Sequence, residues 1–135
     1  MEVRKPLSDF LLRTATMLVV NDMEASIAFY RDKFGFKVKE LETSIALLER
    51  DGMFLYFITE SKPTVDKPGV TLANTNGKDK TSVNLVFRVT DCIKAYHELN
   101  ENGVEFLTPP QSPPWGGWRC FTKDPNGYLI EIEQP

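Results

Sequence analysis

The chain of 135 residues and 15.4 kDa is 41% hydrophobic and 26% charged, proportions that exclude a disordered or fibrous protein. Nineteen acidic against 16 basic residues (net −3, pI near 5.2) give no electrostatic footprint for a nucleic-acid backbone, and no apolar run nears the roughly 20 residues that cross a bilayer. Met1-Glu2-Val3-Arg4-Lys5-Pro6 lacks the apolar run of a secretory signal, and two distant cysteines, Cys92 and Cys120, suit a reducing compartment; a cytoplasmic protein is expected.

In chain order, Leu7, Phe10, Leu11 and Leu12 suggest a short helix packed on the outside. Leu18-Val19-Val20-Asn21 then reads as a strand running into a helix over residues 23–34. Asp22 is its N-cap, and Ile27, Phe29, Tyr30 and Phe34 recur at roughly helical spacing. Gly35 supplies the left-handed residue that ends it. Strands follow over 36–41, 44–49 and 53–59, with Asp51-Gly52 as a hairpin dipeptide. Residues 61–80, rich in Pro, Asn, Lys and Gly, form a connector. The pattern then repeats: a strand up to Asp91, a helix over 92–102, Asn102-Gly103, and strands over 104–107, 118–122 and 128–133 with a turn at Asn126-Gly127. Asp22 and Asp91 lie 69 residues apart, and Gly35 and Gly103 lie 68 apart. This predicts an α+β protein of two βαβββ repeats, about 13–60 and 82–134, in a single domain with a linker over 61–80.

These residues resemble a known family. Val20-Asn21-Asp22-Met23-Glu24-Ala25-Ser26-Ile27-Ala28-Phe29-Tyr30 with Phe34-Gly35-Phe36, and Pro114-Trp115-Gly116-Gly117-Trp118-Arg119 with Asp124-Pro125-Asn126-Gly127-Tyr128-Leu129-Ile130-Glu131, are similar to the vicinal oxygen chelate superfamily, in its glyoxalase/bleomycin-resistance branch. The resemblance covers residues 13–134. It implies curved mixed sheets around a groove, a small-molecule ligand and a homodimer, with the repeats paired either within a chain or by exchange between chains. It also implies a divalent metal whose ligands, carried over by position, fall at Ala15, Tyr56, Asn84 and Glu131. Alanine has no donor atom, an asparagine carbonyl is a weak ligand, and tyrosine must first deprotonate. Only Glu131 keeps a typical ligand, whereas catalytic sites want about three. No metal and no cofactor are therefore expected. The single histidine, His97, falls on the second helix, on the outer face in this fold.

The expected groove thus carries Tyr56, Asn84 and Glu131, with Trp115, Trp118 and Arg119 on a Gly-rich loop at its mouth, where a ring could stack or a cation meet an aromatic face. Cys120 has no histidine to act as its base and reads as a small apolar strand residue. The expectation is a protein that binds a small, partly aromatic or cationic molecule in a metal-free groove, as in antibiotic sequestration. The alternative is a lyase, isomerase or dioxygenase of this superfamily, using a divalent metal or Glu131 as base. A sensory domain reporting ligand occupancy to a partner chain is a third reading.

Overall fold

Helix α1 (Met23–Phe34) begins where the Asp22 carboxylate accepts the Ala25 amide, and ends at Gly35, whose φ of +72° is left-handed. Helix α2 (Cys92–Glu101) repeats the device. Asp91 accepts the Lys94 amide, and Gly103, at φ +89°, follows the last turn. These helices belong to a computed structural model that describes residue 3 and residues 5–135.

Strand β1 (Thr16–Val19) leads into α1 and pairs in parallel with β4 (Met53–Ile58); β3 (Ile45–Arg50) and β2 (Lys37–Leu41) complete a sheet of order β1-β4-β3-β2. The second unit gives β5 (Asn84–Arg88), β6 (Trp118–Lys123) and β7 (Leu129–Gln134) in order β5-β7-β6, again with a parallel first pair. The α+β architecture of two βαβββ-like units is as expected, with one departure. Residues 104–107 form no strand, only the isolated bridge from Phe106 to Thr122; a second, from Gln111 to Arg119, lies beyond Pro109-Pro110. Two consecutive residues without an amide donor break that ladder. The expected outer helix near residue 10 is also absent. Leu7, Phe10 and Leu11 share a single turn and stay exposed, Phe10 at 73%.

Helix α1 packs on β2 and β4, and α2 on β6 and β7. Both helix-bearing faces feed one core: Leu18, Leu48, Leu55 and Phe57 from the first sheet, and Cys120, Ile130 and Ile132 from the second, with Tyr30, Phe34 and Phe87 between them. Polar contacts tie the units as well. Buried Tyr30 donates to Asp124 (2.7 Å), and Asn102 Nδ2 donates to the Asp32 carbonyl (3.0 Å). With the helix sides turned together, the opposite faces of both sheets turn outward and are partly exposed, Met17 at 40% and Val86 at 49%, while Leu47 on the first is buried. The connector is itself folded. Ser61 and Leu72 exchange backbone hydrogen bonds, Lys67 donates to the Lys62 and Val70 carbonyls, and Asn74 and Asn76 both donate to the Asn126 carbonyl. Among the described residues no helix is long and apolar enough to cross a membrane.

Candidate functional site

The register of the second sheet decides which side chains share its open face. Val86, Glu131 and Phe121 lie abreast across β5, β7 and β6, as do Arg88, Glu133 and Arg119, and Asn84 pairs with Leu129. Their neighbours Phe87, Ile132 and Cys120 face the core. Asn84 Nδ2 donates to Glu131 Oε1 at 2.9 Å, so two of the predicted site residues meet directly and the carboxylate is oriented with one oxygen left over.

Beside it, the Arg119 guanidinium lies between two rings, 4.8 Å from the centroid of Trp115 and 5.2 Å from that of Phe121. Arg88 pairs with Glu133 at 3.5 Å. Arg88, Trp115, Arg119, Glu131 and Glu133 border a cavity of about 210 Å³, open at Trp115, which is 74% exposed. The loop over it owes its path to Gly117. Its φ is +72°, and a Cβ there would meet the Gln134 carbonyl oxygen at 2.3 Å. Trp118, which pairs with Gln134 at the start of β6, borders the same cavity.

Tyr56 belongs to the corresponding face of the first sheet, abreast of Met17 and Leu47. Ala15 lines a separate hollow with Thr14, Asp51 and Phe54. The cavity at Glu131 is lined only by residues from Arg88 onward, and among the described residues no hydrogen bond joins Tyr56 to Asn84 or Glu131. Ala15 and Tyr56 thus belong to the first unit, and Asn84 and Glu131 to the second.

The donor chemistry does not fit a divalent ion. Ala15 offers no side-chain donor and Asn84 only a neutral amide oxygen. Among the described residues, no three His, Cys, Asp or Glu side chains come together in a way that could hold one. His97 is exposed on α2, against the Tyr96 ring. Cys92 and Cys120 are buried with sulfurs 3.8 Å apart, and burial pushes the Cys120 thiol up to about 12, which keeps it protonated and unreactive.

Sequence reasoning missed two members of this face. Phe121 was available from alternation out of Arg119. Arg88 was not, because its partner Glu133 is fixed only by the β5–β7 register. A buried cluster also went unseen. Asp124 accepts from Tyr30 and from the Asn126 and Tyr128 amides, and the Tyr128 hydroxyl accepts the Val19 N–H and donates to the Val19 carbonyl, both at 3.1 Å. Asn126 Oδ1 accepts the Asn21 amide at 2.9 Å.

Comparison with known proteins agrees with this geometry. A Bacillus subtilis (strain 168) protein, the uncharacterized YraH, is 30% identical over 128 residues, covering 85% of this chain and 91% of its own. The crystal structure of a glyoxalase-related enzyme from Fulvimarina pelagi superposes with a TM-score of 0.70 at 26% identity, covering 93% of this chain and 89% of that one. A bleomycin-binding protein solved with bleomycin shares the fold (TM-score 0.66, 20% identity, 93% and 99% covered). The family model of the Glyoxalase/Bleomycin resistance protein/Dioxygenase superfamily matches residues 13–132, so with these relatives and this βαβββ pair the chain belongs to that superfamily.

Proposed function

We propose that the chain is a binding protein that holds a small, partly aromatic molecule on the open face of its second sheet, without a metal. The observation that carries this reading is the juxtaposition of the Asn84–Glu131 pair with Arg119 layered between Trp115 and Phe121. A flat ring gains stacking area on the exposed Trp115, while an ammonium or other donor group meets the spare oxygen of Glu131. Arg119 already occupies the cation position against the rings, so a ligand's positive charge belongs at Glu131 and its ring at Trp115. Arg88 and Arg119 balance Glu131 and Glu133, so the face selects by geometry rather than by net charge.

The same reading includes a second copy. The Tyr56 face, partly exposed at Met17 though Leu47 on it is buried, and the Asn84–Glu131 face, exposed at Val86, are separate in one chain. Two copies laid with the first sheet of one against the second sheet of its partner enclose two equal grooves, a closed symmetric arrangement. Antibiotic sequestration is one use of such a groove, and a protein of this fold has been solved with bleomycin.

Bleomycin is therefore the first probe, followed by a panel of flat cationic aromatics, read by calorimetry and by tryptophan fluorescence. Saturable binding that weakens at least about tenfold in Glu131→Gln and in Trp115→Ala supports the reading. No heat, quenching or thermal shift from any of these compounds overturns it. The orientation of Glu131 by Asn84 favours one rival, a metal-free enzyme with Glu131 as base; turnover that disappears in Glu131→Gln with binding retained would favour it.

A further inference from the structure

We infer that a second cavity, along the free edge of β5 where Val86, Phe87, Arg88 and Val89 line it, is a binding site for a small monocyclic phenol. It encloses about 360 Å³, within the range of small-molecule pockets, and shares only Arg88 with the cavity at Glu131. The inference is independent of the function proposed above.

The argument rests on the internal repeat. Through the helix N-caps Asp22 and Asp91, Val19 corresponds to Arg88, Ser26 to Ala95 and Tyr30 to Leu99; through the turn glycines Gly52 and Gly127, Met53 corresponds to Tyr128 and Asp51 to Asn126. In one half the place is filled. Tyr128 inserts a phenol whose hydroxyl both accepts from and donates to the backbone of Val19, beside Tyr30, Ser26 and Asn126. In the other half the equivalent residues are Met53, Leu99, Ala95 and Asp51, and all four line the cavity. Two phenols and a hydroxyl have become two aliphatic chains and a methyl, and the space they would fill is open.

The backbone that read the phenol is still there. In β1 the Val20 amide donates to Ile58 of β4, which turns the polar groups of Val19 away from the sheet toward Tyr128. In β5 the Val89 amide donates to Glu133 of β7 in the same way, so the Arg88 N–H and C=O point off the free edge beside the cavity. Phe34 and Phe87, with centroids 5.0 Å apart, supply an aromatic wall. Lys33, Arg50, Asp51 and Glu98 give a polar mouth suited to a substituent opposite the hydroxyl. Ring, wall and edge thus match a phenol, and a hydrocarbon ring of the same size would leave the Arg88 groups unread.

The test uses p-cresol, the side-chain analogue of tyrosine, and toluene, which lacks only the hydroxyl. In titrations of the whole protein followed by amide and methyl chemical shifts, p-cresol should saturate shifts at Arg88, Val89 and Leu99, with toluene at least about tenfold weaker. Met53→Tyr, which supplies the plug from the chain, should raise Tm and abolish the response. Leu99→Phe, which fills less, should weaken binding, and serves if Met53→Tyr does not fold. Absence of saturable shifts in the native protein, equal binding of toluene, or undiminished binding in the filled variants each overturns the site.

Discussion

Asp124 is the residue on which both units meet. Its carboxylate accepts from the Tyr30 hydroxyl at 2.7 Å and from two amides of its own turn, all in buried surroundings. Asp124→Ala leaves a phenol and two amides without acceptors and is expected to cost about 2–4 kcal/mol in urea unfolding. Tyr128→Phe, which strips the paired bonds to Val19, should cost about 1–3 kcal/mol by the same measurement. Burial lifts the Asp124 carboxyl above its ordinary value of 3.8, an effect partly opposed by the hydrogen bonds it accepts from Tyr30 and the turn. The folded chain then holds this proton more tightly than the unfolded chain. The contribution of Asp124 is fully present below pH 3.8 and declines as pH rises through the lifted value. Stability measured at stepped pH should show that decline in the native protein and not in Asp124→Asn; parallel curves would refute the assignment. Little of this cluster was legible in the sequence. Asp124-Pro125-Asn126-Gly127 announces a turn, but that its carboxylate faces a tyrosine 94 positions earlier is decided by packing.

Among the elements, both helices and their caps were legible because a short carboxylate, an apolar period and a glycine coincide at each. The hairpin at Asp51-Gly52 was legible too, and both residues adopt the positive φ (47° and 86°) of the tight turn that dipeptide favours. The strand expected over 104–107 was not formed, because β propensity there competes with prolines a few residues on. The candidate site divides in the same way. Asn84 and Glu131 are joined only through the β5–β7 pairing, which nearness along the chain does not reveal, whereas Trp115, Trp118 and Arg119 are neighbours in sequence and border one cavity. The loop that carries Trp115 is set by one backbone contact. Gly117→Ala forces a side chain onto the Gln134 carbonyl and should displace the loop, weakening bleomycin binding in calorimetry while the helical circular dichroism signal stays. An unaltered titration would show that the loop takes no part.

For the molecule as a whole, one core fed by both sheets means that neither unit has an interior of its own. Thermal unfolding should follow a single transition by near- and far-ultraviolet signals together. The pairing proposed above adds a sharper expectation. Val86, exposed on the open face in one chain, becomes interfacial in the dimer, so Val86→Glu should convert dimer to monomer in sedimentation while leaving the fold intact. A native protein that sediments as a monomer would remove the second copy from the account.

The folded connector has a further consequence. A twenty-residue segment rich in Pro, Asn and Gly would ordinarily be where a protease cuts first. Here, paired backbone at Ser61 and Leu72, the Lys67 ammonium seated on carbonyls, and two asparagines fastened to Asn126 hold it against the second unit. Chymotrypsin should instead nick the exposed Phe10–Leu12 turn and leave the two units joined as one resistant fragment.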